Sequence, residues 1–299
     1  MDKLRYQFLE NSLLSLSDIV ILPIPFGESV SGRKGTQHAP KAILEASGEL
    51  EYYDEDMEYS PMKYMDICIT DEISSYKDID IGVSSLNVSK KQLLISLGGD
   101  HSITPMITSS LIGVSKTILF LDAHADLRSS YLGDRYSHAT PAYHLLNQGH
   151  KLIMVGIRSL FESEATRVKE DENITYFSAR SLRDKEVRKS LLALVASLSG
   201  EVYLSIDMDV FDPAFVPSVG TPQAGGIDYY LATDIFEALF LKSDAEVRGV
   251  DMVELIPEVS NVSQLFTAKL LQKVISYWGV SQGFNKKDED GAQTRMEYE

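Results

Sequence analysis

Short apolar runs dense in β-branched residues alternate along this chain with longer segments of helical period. That order is the pattern of a parallel sheet covered by helices on both faces, because parallel strands must be joined by crossovers and are buried on either side. The candidate strands are Ile19 to Ile24, Met65 to Ile69, Leu93 to Leu97, Thr117 to Leu121, Leu152 to Ile157, Ile174 to Phe177, Val202 to Ile206 and Val247 to Val253. Between them, Pro40 to Ser47, Ile103 to Ile112 behind a Ser102 cap, Ala139 to Asn147, Leu182 to Leu198, Tyr229 to Leu241 and Val262 to Trp278 read as helices. No Pro/Gly/Ser-rich linker or fixed-period repeat divides the chain, so one α/β domain over 1–284 is expected, with a roughly eight-stranded, mostly parallel sheet. Residues 285–299 (NKKDEDGAQTRMEYE) are polar enough to form a flexible tail.

Three of the apolar runs stop in groups that bind metals. LLISL leads into GGDHS at 98–102, TILFL into DAHAD at 122–126, and VYLSI into DMD at 207–209. In open parallel sheets the loops after the carboxyl ends of the strands share one edge and form the ligand crevice, so residues distant in sequence converge there. On an extended segment, residues i and i+2 point to one side about 6.6 Å apart, from a rise of about 3.3 Å per residue. Asp122 with His124, and Asp207 with Asp209, can then reach a pair of ions about 3.5 to 4 Å apart, and Asp126 joins if its segment stays extended. Asp122, Asp126, Asp207 and Asp209 together carry a charge that two divalent cations neutralise. Without a cation such a cluster repels itself. Oxygen-rich ligation with two imidazoles, His101 and His124, and no thiolate suits manganese, with zinc, iron and cobalt as alternatives.

Each piece alone has an ordinary explanation. A lone DxD is common on solvated strand ends, and a histidine after two glycines often satisfies a turn. Asp100 is expected to brace the loop or orient His101, and Gly98 with Gly99 to permit a tight turn. It is the coincidence of the three motifs that points to metal.

Composition narrows the partners. A formal charge of −16, with no basic stripe, disfavours nucleic acid and anionic membranes. The one cysteine, Cys68, lies in an apolar stretch and cannot close an internal disulfide, which fits a reducing, cytoplasmic setting. Met1 to Glu10 has no apolar signal core, and no run approaches the roughly 20 apolar residues of a membrane span.

GGDHS, DAHAD and SIDMDVFDPAF at 205–215, in that order, resemble the arginase and agmatinase family of ureohydrolases. The likeness extends to IPFG at 24–27, GTQHAPKAI at 35–43, GTPQAGG at 220–226 and DMVELIP at 251–257, and so covers most of the chain before the tail. It implies a three-layer α/β/α domain, two Mn²⁺ per subunit, and assembly as a homotrimer or homohexamer. By motif, His101 and Asp126 correspond to ligands of one ion and His124 and Asp209 to ligands of the other, with Asp122 and Asp207 bridging. His138, in RYSHATP, matches the family histidine that shuttles protons, and Glu254 the carboxylate that hydrogen-bonds the guanidinium. These two, with Asp126, make the catalytic set implied by the resemblance; without it, His138 reads as a loop histidine and Glu254 as a strand-end acid. His38, His144 and His150 have no such support and read as packing or surface residues.

The chemistry suits the residues. A guanidinium carbon is a poor electrophile, so attack needs a strong nucleophile and help in expelling a basic amine. Paired metals lower the pKa of a shared water and stabilise the tetrahedral intermediate. An imidazole, with an ordinary pKa of about 6.5, suits proton delivery to the leaving nitrogen. Arginases present polar residues to an α-amino acid head group, whereas this chain has Arg128 and Phe161 at two of those places. A small cationic guanidino substrate is therefore expected, agmatine first, giving urea and putrescine; arginine, guanidinobutyrate and formimidoylglutamate are the alternatives. Arg128 is counted among the substrate-binding residues with Glu254 and His138, since its charge could meet a carboxylate, although pairing with Asp134 would explain it equally. A protein of a different class, binding metal without turnover, would have no catalytic reason to keep His138 and Glu254.

Overall fold

The computed structural model describes residues 5–7, 9–27 and 32–284, so the tail expected at 285–299 lies outside the described residues. All eight expected strands form: β1 (Ile19–Ile24), β2 (Ile67–Ile69), β3 (Leu93–Gly98), β4 (Thr117–Leu121), β5 (Lys151–Ile157), β6 (Ile174–Ser178), β7 (Ser199–Asp207) and β8 (Asp244–Val253). They make one sheet in the order β2-β1-β3-β8-β7-β4-β5-β6, with every neighbouring pair parallel.

The helices are α1 (Ala39–Ser47), α2 (Ile79–Leu86), α3 (Thr104–Leu111), α4 (Pro141–Asn147), α5 (Glu162–Glu170), α6 (Lys185–Ala196), α7 (Tyr229–Leu241) and α8 (Val262–Ser281). Successive strand residues face opposite sides, and this splits the core in two. Leu119 and Leu121 of β4 pack into the layer built by α1, α6, α7 and α8, whereas Ile118 and Phe120 enter the layer of α2, α3, α4 and α5. The result is the α/β/α sandwich expected. Because both faces are covered, the strands read as continuous apolar runs rather than alternating ones.

Local signals account for the helix starts. The side chains of Asp184 and Asp228 cap α6 and α7, accepting from the amides of Glu186 and Leu231, each at 2.8 Å. Pro105 and Pro141 sit in the first turns of α3 and α4, where no amide donor is needed. One expected cap is corrected: Ser102 does not start α3. Asp100 instead accepts from the Ser102 amide at 3.0 Å and from its hydroxyl, and caps a short 3₁₀ turn, His101–Ile103, that leads into the helix. α2 buries Ile79 and Val83 one turn apart with Leu86 packed beside them, whereas α5 lacks a clear apolar stripe. α5 (ESEATRVKE) buries only Glu164 and Val168, which leaves little period to read. No helix among the described residues is long and apolar enough to cross a membrane.

Candidate metal centre and active-site cleft

The register brings four strand ends level. Leu97 of β3 pairs with Met252 of β8, Met252 with Ile206 of β7, and Ile206 with Leu121 of β4. One step beyond that row stand Asp122 and Asp207, and a few residues further come His101 and Glu254. The site therefore occupies the carboxyl edge of four adjacent central strands, where parallel sheets place their ligands.

Two groups of ligand atoms meet there. His101, Asp122 and Asp126 form one, and Asp122, His124 and Asp209 the other, so Asp122 belongs to both. Nδ1 of His101 lies 3.2 Å from Asp122 Oδ2, 3.5 Å from Asp126 Oδ2 and 3.3 Å from Asp207 Oδ2. Nδ1 of His124 lies 2.8 Å from Asp209 Oδ2 and 3.7 Å from Asp122 Oδ1. All six residues named from the sequence thus converge.

The local geometry differs from the extended segments supposed for them. Asp126 adopts a left-handed backbone with φ of 50°, so it reaches the cluster because the chain turns, not because it stays extended. Asp209 sits in a 3₁₀ turn, Met208–Val210, capped by Asp207, whose Oδ1 accepts from the Asp209 amide at 2.8 Å. Asp209 in turn accepts from the Ala123 amide at 3.0 Å, tying the end of β7 to the end of β4. Beneath this turn, the Arg158 guanidinium donates to the carbonyls of Asp209, Val210 and Phe211, at 2.8, 3.2 and 3.2 Å.

Hydrogen bonds around the cluster fit a site that could hold a cation. The ring of His101 is fully buried and stacked on Phe120, with centroids 4.7 Å apart. Its Nε2 lies 2.9 Å from Ser205 Oγ, and Ser205 donates its only proton to Asp251 at 2.7 Å. The Ser205 oxygen must then accept from Nε2–H, which leaves Nδ1 facing the carboxylates. Both Nδ1 of His101 and Oδ2 of Asp122 are buried without a hydrogen-bond partner. A lone pair aimed at carboxylate oxygens is repulsive unless something positive lies between them, a proton or a metal ion.

The titration of the metal-free groups says the same. Burial, then the charge of Asp122, drives Asp126 well above the usual carboxylate range, and burial, then Asp209 and Asp122, does so for Asp207. Burial raises Asp122 too, but the two imidazoles beside it overcome that and hold its carboxyl at about 2. Burial acts to lower His124, yet Asp122 and Asp209 push it up to about 12. The donor set, hard oxygens with two imidazoles, fits divalent ions.

The cluster floors a cleft of about 240 Å³ whose walls include His124, Asp126, Arg128, Tyr131, His138, Phe161, Glu164, Thr221 and Glu254. His138 is half-buried, 3.3 Å by Nδ1 from Ser137 Oγ and edge-on to Tyr131. Glu254 follows β8 in a left-handed conformation, φ 66°, and accepts from the His101 amide at 2.8 Å; burial, then the charge of Asp100, lifts its carboxyl to about 8. Arg128 does not pair with Asp134 among the described residues. It lies between two rings, 5.1 Å from the centroid of Tyr131 and 5.3 Å from that of Phe161. The other three histidines stand apart from the cluster: His38 is exposed, His144 contacts the Arg135 carbonyl at 2.6 Å, and His150 accepts from the Lys116 amide at 3.1 Å.

Sequence reasoning missed Ser205, Asp251, Arg158 and Glu164. Ser205 and Asp251 lie inside quoted motifs, yet nothing in residue type distinguishes a serine that orients a histidine from one that fills a strand. Glu164 caps backbone amides of Leu127 and Phe161 at 2.9 and 2.7 Å while lining the cleft.

A parallel α/β/α sandwich with a carboxylate–imidazole cluster able to hold metal, set under a polar cleft at its carboxyl edge, defines a metal-site hydrolase architecture. Residues 17–277 match the arginase family model. The chain is 34% identical to N(1)-aminopropylagmatine ureohydrolase of Synechocystis sp., with 92% of this chain and 95% of that protein covered. It is 33% identical to agmatinase of Pyrococcus horikoshii, covering 87% and 91%. The crystal structure of agmatine ureohydrolase of Thermoplasma volcanium superposes with a TM-score of 0.80 at 27% identity, over 95% of this chain and 97% of that one. This chain belongs to the arginase family, whose members are binuclear metal enzymes, and is a hydrolase acting on C–N bonds of linear amidines.

Proposed function

We propose that the chain hydrolyses agmatine to urea and putrescine with two manganese ions per subunit. The observation that carries the reading is the shared cluster of His101, Asp122, His124, Asp126, Asp207 and Asp209 beneath a cleft that also presents His138 and Glu254. His101 and Asp126 would hold one ion and His124 and Asp209 the other, with Asp122 and Asp207 between them. Two divalent ions there would supply positive charge that acidifies water and so furnishes a strong nucleophile for the guanidinium carbon.

The chain's own residues do the rest. Beside bound cations and a guanidinium, Glu254 would give up its proton, accept from the guanidinium and orient it over the cluster. His138 carries a proton to the nitrogen that leaves as the C–N bond breaks. With the aspartates neutralised by metal, Glu164 and Glu254 in the cleft wall are left to favour a cationic substrate over an anionic one. A homo-oligomer, trimeric or hexameric, working in the cytoplasm belongs to the same reading.

A second substrate has a specific observation in its favour, the similarity to N(1)-aminopropylagmatine ureohydrolases of Synechocystis sp. and Thermus thermophilus, at 34% and 32% identity. Manganese-loaded protein assayed for urea from agmatine, N(1)-aminopropylagmatine, arginine and guanidinobutyrate, and for formamide from formimidoylglutamate, separates these. Agmatine is expected to give the highest kcat/KM. A preference for the aminopropyl compound would move the assignment, and silence on every amidine would sink it. His138→Ala should lower kcat by about a hundredfold or more while metal content stays unchanged.

A further inference from the structure

We infer that Arg128 is a positioning residue: its guanidinium clips the loop bearing His138 to the loop bearing Phe161, and so fixes the imidazole over the carboxylate cluster. This rests on the reading of His138 as the proton carrier.

One end of the loop is fastened to α4, where the Arg135 carbonyl accepts from the Thr140 hydroxyl at 3.1 Å and the Tyr136 ring stacks on His144 at 4.8 Å; the rest is exposed. Of residues 129–136 only Tyr131 is not exposed, and Leu132 at the tip is 88% exposed. The tip is a tight turn closed by two backbone bonds, the Tyr131 amide to the Asp134 carbonyl at 2.7 Å and the Asp134 amide to the Tyr131 carbonyl at 2.9 Å. That turn fixes the loop's own shape but not its place on the protein. On the Arg128 side of the loop, the attachment runs through one ring. Tyr131 lies under the Arg128 guanidinium at 5.1 Å on one side and meets the His138 ring edge-on at 5.3 Å on the other.

Arg128 is itself anchored at both ends. Its amide donates to the Ala139 carbonyl at 3.3 Å, just past His138, and its guanidinium also lies 5.3 Å from the Phe161 ring, ahead of α5. A planar cation can bind two aromatic faces at once, whereas an ammonium offers no flat surface to either. Arg128, Tyr131 and Phe161 all line the cleft, so the stack is part of its wall. No carboxylate among the described residues forms an ion pair with Arg128, which leaves the two rings as its partners.

The test uses the full-length, manganese-loaded protein with Arg128→Ala, Arg128→Lys, Tyr131→Ala and the double alanine variant, assayed on agmatine and on guanidinobutyrate. Each single change should lower kcat about tenfold or more, as a misplaced catalytic group does, with KM little altered and bound metal unchanged. The double variant should fall no further than the single ones, because both remove the same link. If Arg128→Ala instead spares kcat and changes KM in opposite directions for the cationic and anionic substrates, the arginine meets the substrate tail and the clip is overturned. The His138 ring resonance, recorded on protein loaded with diamagnetic Mg²⁺ and identified by its loss in His138→Ala, provides a readout independent of turnover. It should shift or broaden in Arg128→Ala and Tyr131→Ala, and an unmoved signal would overturn the proposal. Should His138→Ala keep the full rate, the proton-carrier reading fails, and this resonance alone then decides whether the clip exists.

Discussion

His101 is gripped from two sides, and each side limits what the other can be. Ser205 accepts from Nε2 because Asp251 takes the serine proton, and Asp251 also accepts from Thr104 at 2.8 Å and Tyr203 at 2.9 Å. The chain of bonds reserves Nδ1 for whatever sits among the carboxylates. Asp251→Asn breaks the logic, since an amide can donate to Ser205, which then donates to Nε2 and moves the ring proton to Nδ1. Manganese affinity measured by calorimetry should drop about 10- to 100-fold. Affinity equal to that of the parent protein would show that the ring needs no such fixing. At this scale the residue types of the site were legible but not their backbone. Asp126 and Glu254 both adopt positive φ, a conformation that non-glycine residues visit rarely, and nothing in DAHAD or DMVELIP announces it.

Among elements, the approach of β1 to the β3 loop is as close as a backbone allows. A Cβ on Gly99 would stand 1.7 Å from the Phe26 carbonyl oxygen, so the glycine before Asp100 and His101 is required by sterics. The far side of the sheet is fastened differently. Lys273 of α8, fully buried, donates to Asp54 at 2.8 Å and Asp56 at 2.7 Å and pins the loop after α1. Asp54 is equally buried and also accepts from the amides of Asp56 and Met57, each at 3.0 Å. Lys273→Met would leave that carboxylate without its cation, at a cost of about 3–5 kcal/mol. Equilibrium unfolding in urea measures the loss, and a change below about 1 kcal/mol would mean that the loop relaxes to hydrate Asp54. Strands were easier to read than helices for a physical reason. Two-sided burial demands an unbroken apolar run, while a helix such as α5 that buries two residues leaves no period behind.

For the molecule as a whole, the cluster links protons, metal and stability. In the metal-free protein, Asp126, Asp207, His101 and His124 all hold protons more tightly than their ordinary values imply, and Glu254 is lifted from 4.5 to about 8. A group whose folded pKa is raised stabilises the fold fully below its unfolded pKa and loses that contribution as pH rises through the folded value. For Glu254 the window runs from 4.5 to about 8, so metal-free protein should melt at progressively lower temperature across it. Divalent ions displace those protons. Titration of manganese at pH 7 in buffers of different ionisation enthalpy should show net proton release, and a Tm gain from metal that grows with pH. Binding heats independent of buffer would contradict the linkage.

The strands, the helices with an apolar face, the ligand chemistry and the family were determined by the chain's linear pattern. Apolar runs, charges and motif spacing are local properties that survive being read one residue at a time. The tertiary structure alone decided that Asp251 reaches His101 through Ser205 and that Arg128 stacks on rings instead of pairing with Asp134. Those outcomes depend on register between strands far apart in sequence and on which way each loop turns at the sheet edge. Such contacts are set by packing across the sheet, which no stretch of neighbouring residues encodes.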